Sequence, residues 1–312
     1  MQTIKKNWGE GDIPDQTGKT VFITGANIGL GYEATRMLSS RGARVLMACR
    51  DPERAKGAAS ALRAANPKAQ LDLLSLDLAD FGSVSDVEPQ LKALGVGRID
   101  VLLNNAGIMM PPKRQLTRQG HEIQFGVNHL GHFALTRALY PMLSPNGRIV
   151  NVASIADRRG DINWRDLCWS KNYDPSASYG QSKTANLLFT LELARRLDAA
   201  KSGKRVVAAH PGIAMTNLAT NSTMGRWLWL VRILLALGIG PKVQPPAMGA
   251  LPEVYGATGD IEQGAYYGPE HKVNGHPIRA DEHRSPHSTD VKSAARLWAV
   301  SEDLTRGTFN VT

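Results

Sequence analysis

A tyrosine and a lysine stand four residues apart in Tyr179-Gly-Gln-Ser-Lys183, a spacing that puts both side chains on one face of a helix. The pair has a chemical use. A phenol with a pKa of about 10 is a poor base at neutrality, and a neighbouring ammonium favours its phenolate. Tyr179 could then exchange a proton with a substrate oxygen. The same spacing also arises by chance on surface helices, so the pair needs company before it means catalysis.

Company stands upstream. The apolar run 20–24 leads straight into Thr24-Gly-Ala-Asn-Ile-Gly-Leu-Gly31. Between a strand and a helix, such a turn lets backbone approach a pyrophosphate while the helix N-terminus offers free N–H groups. Gly25, Asn27, Ile28, Gly29 and Gly31 are the candidate contacts. The spacing differs from the common Gly-x-Gly-x-x-Gly, and glycine turns also serve tight packing alone. Its place after the first strand of an alternating series favours phosphate. The second strand ends Ala48-Cys49-Arg50. A carboxylate there would bond the ribose 2′-hydroxyl of NAD, whereas a guanidinium suits the 2′-phosphate of NADP. Arg50 therefore predicts NADP(H) in preference to NAD(H). Asp51 is the opposing signal, and a solvated strand-end charge is the plainer role for Arg50.

The elements that must position these residues alternate in type. Apolar runs of strand length at 20–24, 44–49, 71–76, 99–103, 148–152 and 205–210 are separated by longer helical stretches, among them 52–65. Strands divided by helices predict right-handed βαβ units in a parallel sheet covered on both faces. The fold class is α/β, a single doubly wound Rossmann domain over 17–312 behind an N-terminal extension of 1–16. Residues 213–246 read as an excursion after the sixth strand, a substrate lid; 268–289 read as loop and 290–304 as helix.

Composition narrows the class. In 312 residues, 42% hydrophobic and 21% charged content is that of a soluble globular protein. Cys49 and Cys168 lie too far apart for a disulfide framework, which fits a reducing, cytoplasmic setting. The polar N-terminus is no secretory signal, and the apolar segment 227–239 is interrupted by Arg232 and too short to span a bilayer. A net charge of +9 comes from dispersed Lys and Arg, which suits an anionic cofactor better than nucleic acid. His271, His276, His283 and His287 lack a zinc spacing, so no metal is expected.

With the glycine turn, Asn104-Asn-Ala-Gly107 after the fourth strand, Ser154 after the fifth and Pro211-Gly212 after the sixth, the chain resembles the short-chain dehydrogenase/reductase family from about residue 17 to 304. The resemblance implies hydride transfer between nicotinamide and a carbinol or carbonyl carbon, with Tyr179 handling the proton. It gives Lys183 the tasks of lowering the tyrosine pKa and holding the nicotinamide ribose. Ser154 would orient the substrate oxygen, and Asn128 would support a water-linked proton relay to the lysine. Asp77 would contact the adenine, beside Leu78, and Asn105, Ala106 and Gly107 would border the cofactor. Pro211, Gly212, Ile213, Ala214 and Thr216 match the segment that clamps the nicotinamide amide, Thr216 by its side chain.

The long interval between Ser154 and Tyr179, filled by Asp161-Ile-Asn-Trp-Arg-Asp166, resembles the branch of retinol dehydrogenases and WW-domain oxidoreductases, as do Ala48-Cys49-Arg50 and 295–302. The lead-in 12–19 is similar to bacterial members named after protochlorophyllide reductase. Family members are commonly dimers or tetramers, so a homo-oligomer is expected. Trp227, Trp229 and their Leu, Ile and Val neighbours in 227–239 would favour an apolar alcohol or carbonyl substrate if they form a lid. A core or subunit-interface helix, or peripheral docking on a membrane, fits the same residues. The competing function is a catalytically silent NADP(H)-binding regulatory protein. Intact Asn128, Ser154, Tyr179 and Lys183 speak against it, and the chain after Pro211 is too short for the substrate domain of a lyase or epimerase relative.

Overall fold

The computed structural model describes residues 4–214 and 243–312. Thr216, the apolar segment 227–239 and most of the expected lid lie outside the described residues.

Eight strands form one sheet in the order β3-β2-β1-β4-β5-β6-β7-β8. They are β1 (Thr20–Thr24), β2 (Arg44–Cys49), β3 (Gln70–Ser75), β4 (Ile99–Asn104), β5 (Leu143–Val152), β6 (Arg205–Ala209), β7 (Tyr266–Pro269) and β8 (Pro277–Arg279). All neighbours through β7 run parallel. Alternation along a strand sends side chains to opposite faces. Val21 and Ile23 join a core with Ala34 of helix α1 (Gly29–Ser40) and Val254 of the helix Pro246–Thr258. Phe22 between them faces Phe133, Phe189 and Trp298 on the other side. Both faces of the central strands are therefore covered, which is why their middles, such as 21–23 and 45–49, are apolar.

Strand order reverses between β1 and β4, opening a crevice at their C-terminal ends. Helices meet that edge with defined starts. Asp51 caps α2 (Pro52–Ala65) by accepting from Glu53 and Arg54 amides, and Asp174 caps the long helix Pro175–Ala199 through Ser176 and Ala177. Proline follows each cap, at the position where its missing N–H costs nothing. Within the N-terminal extension, Trp8 and Ile13 are buried, and Trp8 meets Tyr255 edge to face at 5.1 Å.

The stretch 268–289, read as loop, contains β8, which pairs antiparallel with β7, and two 3-10 turns, Asp281–His283 and Pro286–Thr289. Pro277 conceals the strand in the sequence; an edge tolerates it because one side of the ladder needs no donor. The sheet thus has six parallel strands read correctly, a seventh parallel one, and an antiparallel edge.

Candidate active site

Thr24 ends β1 and organises both loops of the crevice. Its hydroxyl oxygen accepts the N–H groups of Asn105 and Ala106, each at 2.9 Å, and Asn105 Nδ2 donates back to the Thr24 carbonyl at 2.7 Å. Gly25 and Gly29 take φ of +66° and +60°, a region that favours glycine. Gly31 is needed for space: a Cβ there would lie 2.4 Å from the Gly25 carbonyl oxygen and 2.5 Å from Asn105 Nδ2. Ile28 caps α1 without a side-chain hydrogen bond, so the first amides of the helix stay open to an anion.

One cleft runs from this turn in both directions. Toward β2 and β3 it is walled by Arg50, Asp51, Arg54, Asp77 and Leu78; toward β5 it passes Asn105, Ala106 and Gly107 to Val152, Tyr179, Lys183 and Pro211. Gly25, Asn27, Ile28 and Gly29 line its middle. A glycine turn with a cationic rim on one side and the Tyr179–Lys183 pair on the other leaves room for an extended dinucleotide. Gly31 supports the turn from behind. Gly212, Ile213 and Ala214 sit beside the cleft rather than on its wall, with Gly212 at φ +65° and Ile213 N–H bonded to the Val273 carbonyl at 2.8 Å.

At the far end Tyr179 is partly exposed, and the protein packed around its ring pushes its pKa up to about 12, with the Ser154 hydroxyl bond pulling the other way. Ser154 caps a 3-10 turn, Ile155–Arg159, by accepting the Ala156 amide at 3.2 Å. Lys183 is buried, its ammonium donating to the Val152 carbonyl at 3.0 Å and lying 5.7 Å from the Tyr179 ring centroid. Burial brings its pKa down to about 8, opposed by the Glu253 carboxylate. The Lys183 ammonium thus stands beside the Tyr179 ring while its hydrogen bond goes to the Val152 carbonyl.

Asn128 lies in a π-helical stretch, Gly126–Gly131. Its side chain clamps Ile108, accepting that N–H at 2.7 Å and donating to its carbonyl at 2.9 Å, and donates to Ser182 beside Lys183 at 2.9 Å. A Cβ on Gly107 would sit 3.3 Å from Asn128 Oδ1 and 3.7 Å from Lys183 Nζ, so these three residues converge. Among the described residues there is no metal-binding cluster and no helix long and apolar enough to cross a membrane.

A model for short chain dehydrogenases matches residues 19–227. The chain belongs to the short-chain dehydrogenase/reductase family. Mouse retinol dehydrogenase 12 is 38% identical over 292 residues, 92% of this chain and 86% of that one. The family member is thus of the retinol dehydrogenase-like branch. A solved uncharacterised protein from Mycobacterium paratuberculosis superposes with a TM-score of 0.81 at 41% identity, covering 98% of this chain and all of the other. A protein described as an NAD(P)-dependent gluconate 5-dehydrogenase from Beutenbergia cavernae, with NADP bound, gives 0.62 at 25% identity, covering 81% and 95%. As a short-chain dehydrogenase/reductase this chain is an oxidoreductase of the nicotinamide-dependent kind.

Three residues of this short-chain dehydrogenase/reductase escaped the sequence reading. Arg54 lines the cleft one helical turn after Arg50, a spacing visible in the sequence. Glu253 is a buried carboxyl, 2% exposed, in a helix otherwise apolar; its Oε1 has no hydrogen-bond partner among the described residues. His132 is equally buried.

Proposed function

We propose that the chain is an NADP(H)-preferring alcohol dehydrogenase or carbonyl reductase acting on an apolar substrate. The observation that carries the reading is one continuous cleft with Arg50 and Arg54 at one end and Tyr179 beside Lys183 at the other. A bound nicotinamide would supply or accept the hydride. Tyr179, held by Ser154, would give a proton to a carbonyl oxygen or take one from an alcohol. Ser154 would orient that oxygen, and Lys183 would hold the ribose hydroxyls. Asn128 would keep Ile108 and Ser182 in place around Lys183 and support the path by which the lysine regains its proton. The glycine turn would hold the pyrophosphate, Asp77 and Leu78 the adenine, and Pro211 to Ala214 with Thr216 the nicotinamide amide. Arg50 and Arg54 together offer two guanidinium forks to a 2′-phosphate. For the substrate, support comes from the apolar residues of 227–239 and from relatives named for retinol, an apolar alcohol.

The test is a panel of aldehydes, ketones and alcohols, apolar and polar, assayed with NADPH and NADH. Faster turnover of apolar members with the phosphorylated cofactor is expected. Tight NADPH binding without turnover of any member would favour the regulatory reading instead.

A further inference from the structure

Between the cofactor loop and the lysine stands a buried histidine that neither motif explains. His132 opens the helix His132–Leu139 directly after the π-helical stretch and is 2% exposed. Its Nδ1 lies 3.0 Å from the Asn128 carbonyl oxygen and its Nε2 lies 2.9 Å from Thr24 Oγ1.

The partners assign the proton. A carbonyl can only accept, so Nδ1 carries the hydrogen. Thr24 Oγ1 already accepts two backbone N–H groups, so its own hydrogen goes to Nε2, which is nearer than the Leu103 carbonyl at 3.4 Å. Both ends require the same neutral tautomer. Burial holds it there, bringing the imidazole pKa down to about 4 against the pull of the Asn128 carbonyl.

We propose that His132 is a positioning residue that couples the two halves of the site, tying the Asn105–Ala106 loop through Thr24 to the Asn128 backbone and so to Lys183. The inference rests on the reading of Tyr179 and Lys183 as the proton-handling pair. Without the imidazole, the Thr24 end of the loop loses its tie to the helix beside the lysine, and only the Asn128 clamp on Ile108 still joins the two.

His132→Asn and His132→Gln separate the two ends. Asparagine places its amide where Nδ1 stands and keeps the Asn128 bond; glutamine reaches the Nε2 position and keeps an acceptor for Thr24. Asparagine should act mainly on the NADPH Kd, raising it about fivefold, and glutamine mainly on kcat, lowering it about fivefold, each the size of one lost neutral hydrogen bond. Thr24→Val, which also removes the acceptor for the Asn105 and Ala106 amides, should act in the same direction as asparagine and raise the NADPH Kd further. A packing role would move Kd and kcat together in both variants, and that result, or no change in either, overturns the proposal. Fluorescence titration of NADPH needs no turnover. A wild-type chain that reduces nothing would therefore sink the proposed function alone, while equal Kd values in the two variants would still sink this one.

Discussion

Gly160 and Gly180 meet backbone to backbone: a Cβ on Gly160 would lie 2.3 Å from the Gly180 carbonyl carbon, and one on Gly180 would lie 2.9 Å from Gly160 Cα. Gly180 follows Tyr179, and Gly160 closes the turn that Ser154 begins. The contact therefore sets how near the serine and tyrosine hydroxyls can come. Thr184 reinforces it by donating to the Gly160 carbonyl at 3.2 Å.

Gly160→Ala should push the turn off the helix. Backbone faces backbone here, so no flexible side-chain end can yield, and overpacking of this kind costs about 1–3 kcal/mol. The melting temperature should fall, and kcat should drop about tenfold or more as Ser154 and Tyr179 separate. NADPH affinity should change less, because the glycine turn, Arg50 and Arg54, proposed to hold most of the cofactor, lie away from this contact. A variant with full activity would mean that the turn relaxes without moving Ser154.

Tyr179→Phe should lower carbonyl reduction roughly 100- to 10,000-fold, the range for losing a general acid, while NADPH still binds. The pH dependence follows from a phenol pushed up to about 12. The hydroxyl stays protonated through the neutral range, so kcat/KM for reduction should show no tyrosine step between about pH 6 and about pH 8. Alcohol oxidation needs the phenolate and should climb with pH over the same interval. Initial rates in both directions check this. A reduction profile that falls near neutrality would place the tyrosine pKa far lower.

Much of this arrangement was legible in the sequence because parallel strands are covered on both faces. Continuous apolar runs such as 45–49 of β2 announce themselves, and the glycine turn follows β1 without a gap. The edge was not legible. Tyr266–Pro269 is four residues long, and its antiparallel partner starts on a proline. Nor were the residues whose meaning depends on distant partners. His132 reads as one polar residue in an amphipathic helix until Thr24, 108 positions away, is placed against it. Glu253 likewise looks like an ordinary helix glutamate until the fold turns it inward.

Arg50 and Arg54 should contribute unequally to NADPH. Both are exposed at the cleft rim, but Arg54 Nε already lies 3.2 Å from an Asp51 carboxylate oxygen. Arg50→Ala should raise the NADPH KM about tenfold, in keeping with loss of hydrogen bonds to a charged group, and leave NADH nearly unchanged. Arg54→Ala should have a smaller effect, because the 2′-phosphate competes with Asp51 for that guanidinium. Matched KM measurements with the two cofactors decide it. Parallel losses for NADPH and NADH would mean the arginines do not read the phosphate.

Glu253 and Lys183 should leave a signature in stability against pH. Burial holds the Glu253 carboxyl up, at about 8 against an ordinary 4.5, although the Lys183 ammonium pulls it down. Between those values the folded protein keeps a proton that the unfolded chain has released, so stability falls as pH rises through the window. Lys183 acts above it: its folded pKa of about 8 lies below the ordinary 10.5, so its own contribution to stability rises with pH there. Glu253→Gln removes the carboxyl and its support of the ammonium, and both changes favour the variant as pH increases. The melting temperature of Glu253→Gln relative to wild type should therefore be higher at about pH 8 than at about pH 5. An equal margin at the two pH values would mean that Glu253 is already ionised at the lower one, and so bonded more closely to Lys183 than its unpartnered Oε1 implies.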